Sequence, residues 1–206
     1  MSDSKNVIAL VPAAGVSRRM GQPKLLMQLG NQRVIDHLVT SLVHPAVERV
    51  LVLVRPDDDE LQAALRPYSH VDVITPPDSP AEMRESVSLL LKACERHHGG
   101  GWMLIPADSP WIEHRVLDRL IVAWRETPEN MVVPVHDGRR GHPTIFPASL
   151  SSEIESIPPE RGLNYLLHSN PERVVEVQCP EASVLCDLDT PEDFERLKQM
   201  WNPERD

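Results

Sequence analysis

Residues 7–24 have the sequence VIALVPAAGVSRRMGQPK, in which an apolar run passes directly into small and basic residues. The run at residues 7–11 is short and continuous, as in a strand that is buried within a sheet. Farther along, short apolar runs alternate with longer amphipathic stretches as far as residue 135. Strand–helix alternation at this spacing predicts an α/β fold, with a mostly parallel sheet covered by helices on both faces.

The predicted elements follow from these runs. We expect strands at residues 7–11, 50–54, 71–74, 102–105, 131–135, 144–146 and 174–177. We expect helices at residues 34–43, 57–65, 86–96, 114–124, 161–168 and 191–200, with Thr190 as N-cap of the last one. No repeat, low-complexity tract or linker interrupts the pattern. The chain is therefore expected to be one domain over residues 1–206, with an ordered core from about 7 to 200.

The composition excludes several classes of protein. The chain has 206 residues, of which 41 % are hydrophobic and 25 % charged, and its net charge is −10. This mix excludes wholesale disorder, and an acidic chain with 4 % aromatic residues argues against a nucleic-acid partner. Three cysteines without a C-x-x-C pair suggest neither a disulfide framework nor a zinc site. No apolar run approaches the ~20 residues that span a bilayer, so we expect no membrane contact and a cytoplasmic location.

The loop after the first strand has the composition of an anion-binding site. Its small residues let a ligand approach the backbone, where successive N–H groups can bind oxyanions. Its side chains add one hydroxyl and three cations, namely Ser17, Arg18, Arg19 and Lys24. The loop fits neither the pattern G-x-x-x-x-G-K-S/T nor G-x-G-x-x-G. On composition alone, the alternative is a glycine-containing loop with solvated arginines.

Two acidic segments are candidate cation sites. Asp108 directly follows the predicted fourth strand, and a carboxylate at that end of a strand suits a hard cation such as Mg²⁺. The alternative is an aspartate that caps a helix or turn before Pro110. Asp187 and Asp189 share one face of an extended segment, which also invites a cation. Here the alternative is an acidic N-terminus for the last helix.

The loop resembles the signature of the MobA-like NTP transferases over the stretch AAGxSxRMGxxKL at residues 13–25. This family forms NDP-linked products from an NTP and a phosphorylated acceptor. The resemblance runs from residue 7 to about 197 and implies a Rossmann-like sheet of the nucleotide-diphospho-sugar transferase type. It implies that the loop wraps the triphosphate through Ala13, Ala14, Gly15, Ser17, Arg19 and Lys24. Arg19 and Lys24 are then the cations that neutralise phosphate charge.

The same resemblance implies functions for the two acidic segments and for Ser86. Asp108 matches the aspartate of an Asp-x-Pro element that binds Mg²⁺, and it is expected to be catalytic together with Arg19 and Lys24. The segment 187–193 resembles the close of the molybdenum-cofactor cytidylyltransferase branch, which implies that one of its aspartates completes the metal site, and we expect this aspartate to be Asp189. Ser86 matches the start of a helix that faces the nucleotide, although Glu82 stands where the branch has glycine.

The acceptor side of the reaction rests on resemblance as well. Gly141, His142 and Pro143 match the Gly-His-Pro stretch of the molybdenum-cofactor branch, which implies that they bind a molybdopterin-type acceptor. Pro12 departs from this branch and resembles the methylerythritol-phosphate cytidylyltransferases. The His-Asp-Ala-Ala-Arg stretch of those enzymes is absent at residues 105–109. A molybdoenzyme, or the chaperone of one, is a further partner that the resemblance implies.

The implied reaction is transfer of NMP, with loss of pyrophosphate, to a phosphate oxygen that is already ionised and needs no general base. Ala14 resembles the alanine of the cytidylyltransferase branch at a position where the guanylyltransferase branch tends to have glycine. The resemblance, together with the smaller space that the methyl group leaves, implies CTP as the nucleotide. A cytidylyl- or uridylyltransferase acting on a sugar or polyol phosphate is one alternative, favoured by Pro12 and Glu82. A second is a catalytically silent nucleotide-binding sensor or cofactor-delivery module, and a third is an α/β domain without any nucleotide role.

Overall fold

The computed structural model describes residues 6–17, 19–97, 99–158 and 161–201, so that the predicted cation Arg18 lies outside the described residues. The strands are β1 (Val7–Pro12), β2 (Gln28–Leu29), β3 (Gln32–Arg33), β4 (Val47–Leu53), β5 (Val71–Ile74), β6 (Gly101–Leu104), β7 (Met131–His136), β8 (Arg139–Arg140), β9 (Thr144–Pro147) and β10 (Val174–Gln178). The α-helices are α1 (Val34–Ser41), α2 (Asp59–Leu65), α3 (Met83–Cys94), α4 (His114–Glu126), α5 (Asn164–Ser169) and α6 (Pro191–Met200). None of these helices has the length and apolarity that a membrane crossing requires.

The main sheet has the strand order β10-β7-β9-β6-β1-β4-β5, and β8 pairs with β7. The pairs β1–β4, β1–β6, β4–β5 and β7–β10 are parallel, whereas β9 runs antiparallel to both β6 and β7. Strands β2 and β3 form a separate hairpin. Because β9 alone reverses within the seven-strand order, β1, β4, β5, β6, β7 and β10 all end at the same edge of the sheet. The predicted α/β fold is confirmed.

Alternate residues of β1 show that the sheet is buried on both faces. Val7, Ala9 and Val11 pack in one apolar cluster with residues of α1 and α4. Ile8 and Leu10 pack in a second cluster with residues of α3 and α5. Helices therefore cover both faces of the central strand, which explains why the run at residues 7–11 is apolar at every position rather than at every second one.

Several element boundaries differ from the predicted ones. Helix α2 begins at Asp59 because the carboxylate of Asp58 caps it by accepting a hydrogen bond from the backbone N–H of Leu61. Helix α3 begins at Met83, three residues before the predicted start. A 3₁₀ helix at Ala148–Ser156 was not predicted, since its apolar residues do not repeat with a helical period over a long stretch. The predicted N-cap Thr190 is confirmed, and its side chain accepts from the backbone N–H of Asp193.

Candidate active site

A cavity of about 430 Å³ opens where the loop leaves the carboxyl end of β1. Six predicted nucleotide-binding or metal-binding residues line it together with Lys24, namely Ala13, Ala14, Gly15, Ser17, Ser86 and Asp108. Ser17 and Gly21 have positive φ angles of 42° and 65°, which turn the loop back toward the sheet. The loop, the start of α3 and the segment after β6 thus surround one cavity at the edge where the parallel strands end. This is where α/β sheets commonly bind their ligands.

Lys24 connects three separate parts of the chain. Its Nζ donates to Oδ2 of Asp108 at 3.1 Å, to Oδ1 of Asp189 at 3.3 Å and to the carbonyl oxygen of Leu188 at 2.8 Å. The side chain is 14 % exposed, and the buried Leu25 beside it anchors the short 3₁₀ helix that carries both residues. A lysine held in this way is fixed in position while its ammonium group still borders the cavity.

Arg19 joins the same network from its solvent side. Its Nη2 lies 3.0 Å from Oδ2 of Asp189, and its side chain is 71 % exposed. Arg19 does not line the 430 Å³ cavity and lies instead on an adjoining one. The structure therefore brings Arg19, Lys24, Asp108 and Asp189 together in a single chain of ion pairs, which we call the four-residue network.

Backbone hydrogen bonds hold the two aspartates of the network in place. The carbonyl oxygen of Asp108 accepts from the N–H of Leu188 at 2.9 Å, which ties the end of β6 to the segment before α6. The N–H of Asp189 donates to Oδ2 of Asp193, and Asp193 also accepts from the backbone N–H of Thr190 in the capping box. The cap of α6 thus positions Asp189. The same segment is therefore both the acidic N-terminus of the last helix and a candidate cation site.

The donor set fits a hard divalent cation. Asp108 and Asp189 approach the same ammonium group, and their side chains are 27 % and 33 % exposed. Within the described ranges, no group of three or more His, Cys, Asp or Glu side chains is arranged to hold a metal by itself. Two carboxylates leave most of an octahedral shell to phosphate oxygens and water, as is usual where Mg²⁺ accompanies a nucleotide.

Negative charge is crowded around this position. Burial raises the pKa of Asp187, and the carboxylates of Asp108 and Asp189 raise it further, whereas Lys24 opposes the shift. After burial, the charges of Asp108 and Asp189 are the next causes of this shift, and these charges favour an additional cation. Among the described residues, Lys24 and Arg19 neutralise the carboxylates of the network, and a bound metal ion would neutralise the same negative charges further.

Ser86 and Glu82 mark the start of α3. The side chain of Ser86 is buried, and its Oγ donates to the carbonyl oxygen of Glu82 at 3.3 Å. Glu82 occupies the position before the helix with a φ of −136°, an extended backbone that any residue adopts. A glycine is therefore not required there for the backbone to turn, although the Glu82 side chain does line the cavity.

The predicted acceptor residues lie away from the nucleotide cavity. Gly141 and Pro143 are buried, and neither they nor His142 line the 430 Å³ cavity. The N–H of His142 donates to the carbonyl oxygen of Val184 at 2.8 Å, and a Cβ on Gly141 would lie 2.1 Å from that oxygen. Burial lowers the pKa of His142, and the nearby Asp108 carboxylate opposes this shift. The acceptor-binding role of these three residues stays a prediction.

A second cavity, of about 520 Å³, adjoins the network and was not anticipated from the sequence. Arg19 and Asp189 line it together with Asp187, Arg196 and Arg139. Arg139 belongs to β8, which follows the turn at Asp137 and Gly138, where φ is 48° and 73°. The Asp-Gly pair between two short extended segments is a hairpin signal that could have located this residue.

Comparison with known proteins places this chain among the NTP transferases. Residues 9–174 match the family described as "MobA-like NTP transferase domain". The 2-C-methyl-D-erythritol 4-phosphate cytidylyltransferase of Shewanella frigidimarina (strain NCIMB 400) is 32 % identical over 142 residues, which are 66 % of this chain and 60 % of that relative. The molybdenum cofactor cytidylyltransferase of Escherichia coli (strain K12) is 22 % identical over 192 residues, 93 % of this chain and 95 % of that relative. The match to the Shewanella protein thus leaves over a third of its length without a counterpart here.

Solved structures agree on the fold. Rv0371c from Mycobacterium tuberculosis H37Rv has a TM-score of 0.81 at 23 % identity, covering 94 % of this chain and 98 % of that one. A complex of Rv0371C with manganese has a TM-score of 0.75 at 22 % identity, covering 95 % and 100 %. These likenesses show the architecture, whereas the family match extends over most of the sequence. The chain therefore belongs to the family of MobA-like NTP transferase domains.

Proposed function

We propose that the chain is a cytidylyltransferase that transfers CMP from CTP to a phosphorylated acceptor of the molybdopterin type, releasing pyrophosphate. The observation that carries this proposal is the position of Lys24, which borders the 430 Å³ cavity and bridges Asp108 and Asp189. A fixed ammonium between two carboxylates, next to a loop of small residues that lets a ligand approach the backbone, suits the triphosphate of an NTP and its metal ion. The name of the Escherichia coli relative, which spans nearly the whole chain, supports the acceptor.

In the proposed reaction, a phosphate oxygen of the acceptor attacks the α-phosphorus of CTP. A new oxygen–phosphorus bond forms, and the bond from the α-phosphorus to the bridging oxygen of the β-phosphate breaks. Pyrophosphate leaves with that oxygen and its electron pair. The attacking oxygen is ionised near neutral pH, so no proton must be removed. The protein's task is therefore to position two anions and to neutralise the charge between them.

The residues of the loop divide this task. The backbone N–H groups of Ala14 and Gly15 and the hydroxyl of Ser17 would bind the phosphate oxygens, whereas the N–H of Ala13 already donates to the carbonyl oxygen of Leu53 at 2.9 Å. Lys24 would neutralise the charge that develops on the leaving pyrophosphate, and Arg19, which pairs with Asp189, would add positive charge to the same network. A Mg²⁺ ion held by Asp108 and Asp189 would supply further charge neutralisation on the triphosphate. With Asp108 and Asp189 engaged in holding the metal, Lys24 would be free to direct its ammonium to phosphate oxygens.

The preference for CTP rests on the size of the cavity beside the loop. Ala14 is half-buried and lines the cavity, where its methyl group takes space that a larger base would need. One methyl group changes a binding free energy by about 1–3 kcal/mol, which is enough for a measurable preference. Both named relatives are cytidylyltransferases, which agrees with a pyrimidine nucleotide.

A second candidate acceptor is a sugar or polyol phosphate. The Shewanella relative, named for 2-C-methyl-D-erythritol 4-phosphate, is the more similar of the two over the part that it shares with this chain. Pro12 agrees with this candidate. The missing His-Asp-Ala-Ala-Arg stretch at residues 105–109 opposes it. Mg²⁺ as the metal, contact with a molybdoenzyme or its chaperone, and a cytoplasmic location stay predictions beside the proposed reaction.

The test begins with nucleotide binding. The melting temperature is measured with Mg²⁺ and, in turn, CTP, GTP, UTP or ATP, for the wild type and for Lys24→Ala. A nucleotide at 100 times its Kd stabilises the native state by about 2.7 kcal/mol. A shift that is selective for CTP and lost in Lys24→Ala supports the proposal. Equal shifts with all four nucleotides, or a preference for a purine, contradict the assignment of CTP.

Turnover then decides between the acceptors and excludes a silent module. Pyrophosphate release from CTP is followed with molybdopterin or with 2-C-methyl-D-erythritol 4-phosphate as the acceptor. Release with the pterin alone supports the first candidate, and release with the polyol phosphate alone supports the second. CTP binding without release in either mixture would indicate a nucleotide-binding sensor or delivery module, and attention would turn to Glu82.

A further inference from the structure

The 520 Å³ cavity adjoins the nucleotide cavity through the four-residue network. Lys24 and Asp108 border the nucleotide cavity, whereas Asp189 and Arg19 border the second one. Because Lys24 contacts both aspartates, the two cavities meet at the ion pairs themselves. A molecule in the second cavity would therefore lie against the ion pairs whose other side borders the nucleotide cavity.

Arg139 differs from the other arginines around this cavity. Arg19 is paired with Asp189, and Arg196 is paired with Asp193. Within the described part of the chain, the guanidinium of Arg139 forms no ion pair or hydrogen bond, and it faces the cavity that it lines. It is thus a cation that is not yet neutralised, located beside the carboxylates of Asp187 and Asp189.

The geometry of β8 explains why Arg139 and not its neighbour faces the cavity. Successive residues of a strand point to opposite faces, so Arg139 and Arg140 diverge. Arg140 extends toward β10, where its Nε donates to Oε1 of Glu176 at 2.8 Å. The turn at residues 137–138 brings β8 back along β7. The pairing of the two strands then fixes the face of the sheet on which each arginine lies.

We propose that the 520 Å³ cavity is the acceptor subsite and that Arg139 binds the phosphate group of the acceptor. The predicted acceptor residues Gly141, His142 and Pro143 do not line this cavity, so the proposal differs from the prediction made from the sequence. This inference rests on the proposed function and names the part of the site that receives the second substrate. A phosphate dianion entering beside Asp187 and Asp189 would be repelled unless a free cation met it, and Arg139 supplies one with the geometry for two hydrogen bonds. Leu185 and Leu197 also line the cavity beside these charged side chains.

Matched variants of the two adjacent arginines test the assignment. Binding of inorganic phosphate, as the probe, is measured by calorimetry in the presence of Mg²⁺ and saturating CTP, so that the nucleotide loop is already occupied. We expect Arg139→Ala to weaken phosphate binding by about tenfold or more, while Arg140→Ala leaves it unchanged. The Kd of CTP should stay within about twofold of wild type in both variants. Arg139→Lys, which keeps the charge but loses the planar fork, should restore binding in part.

The outcomes separate this inference from the proposed function. If Arg139→Ala binds phosphate as tightly as the wild type, the proposed role of Arg139 is overturned. If Arg140→Ala loses as much affinity for phosphate as Arg139→Ala, the effect comes from general surface charge, and the role is overturned as well. If CTP does not bind, the proposed function fails, and phosphate is then titrated into Lys24→Ala with and without the Arg139→Ala change. An effect of Arg139 in that background supports an anion subsite independent of nucleotide. With an active acceptor, Arg139→Ala should raise the KM of the acceptor and leave the KM of CTP unchanged.

Discussion

Nζ of Lys24 lies 3.1 Å from Oδ2 of Asp108, although the two residues are 84 positions apart in the sequence. They meet because β1 and β6 are adjacent parallel strands, whose carboxyl ends bring the loop of one beside the aspartate after the other. Asp189 reaches the same ammonium from 165 positions away, through the cap of α6. The sheet and one helix cap therefore assemble the site, and its cation is balanced by protein carboxylates before any ligand binds.

The first prediction concerns the loss of this cation. Lys24→Ala should lower kcat by about 10²–10³, because Lys24 is proposed to neutralise charge that develops in the transition state. The initial rate of pyrophosphate release measures the effect. Lys92→Ala, which removes an exposed lysine of α3, serves as the matched control and should leave the rate unchanged. Near-normal turnover in Lys24→Ala would contradict the assigned role.

The second prediction concerns metal and nucleotide together. If Asp108 and Asp189 hold the cation, Asp189→Asn should raise the Mg²⁺ concentration needed for the CTP-induced thermal shift by about tenfold or more. The variant also loses a negative charge that fixes Lys24 in place. The affinity for CTP should therefore fall less in the absence of Mg²⁺ than in its presence. Asp118→Asn removes a carboxylate of α4 that is 67 % exposed and controls for overall charge. An unchanged Mg²⁺ requirement in Asp189→Asn would exclude that residue as a ligand.

The sequence was most informative where one contiguous motif carries one role. The strand at residues 7–11, the loop up to Lys24 and the position of Asp108 were all predicted, because each depends on local pattern and on the common edge of parallel strands. Arg139 was missed because its orientation depends on the alternation within a two-residue strand. The contact of Gly141 with Val184 was missed as well, since it joins segments that no periodicity relates.

The third prediction uses that contact. A Cβ on Gly141 would lie 2.1 Å from the carbonyl oxygen of Val184, a backbone atom that cannot rotate away. Gly141→Ala should therefore lower the free energy of unfolding by about 1–3 kcal/mol or more. Gly162→Ala is the matched control, because a Cβ there meets nothing within 4 Å, and its effect should stay below about 1 kcal/mol. Urea denaturation of both variants measures the difference, and equal stabilities would show that the segments separate at little cost.

The fourth prediction concerns acid stability and lies outside the site. Asp36 accepts hydrogen bonds from Nε of Arg33 at 2.7 Å, from its Nη2 at 2.9 Å and from its backbone N–H at 3.0 Å. Burial would raise the pKa of Asp36, but hydrogen bonds from Arg33 and Tyr68 and the charge of Arg33 outweigh burial and lower the pKa. Since the pKa is lower in the folded state, Asp36 stabilises the fold fully above its unfolded pKa of about 3.9. This stabilisation is lost as pH falls through the folded-state pKa.

Asp36→Asn should accordingly lower the free energy of unfolding by about 1–3 kcal/mol at pH 7, since the side chain is only 8 % exposed and bonds a guanidinium. The difference from wild type should shrink once the pH falls below about 4, because Asp36 then takes up a proton in the unfolded wild type while it is still ionised in the folded state. Urea denaturation at several pH values measures both effects, with Asp57→Asn, 73 % exposed, as the control. A difference that stays constant down to pH ~3 would mean that the loss comes from packing rather than from the charge of Asp36, since only the charge titrates in that range.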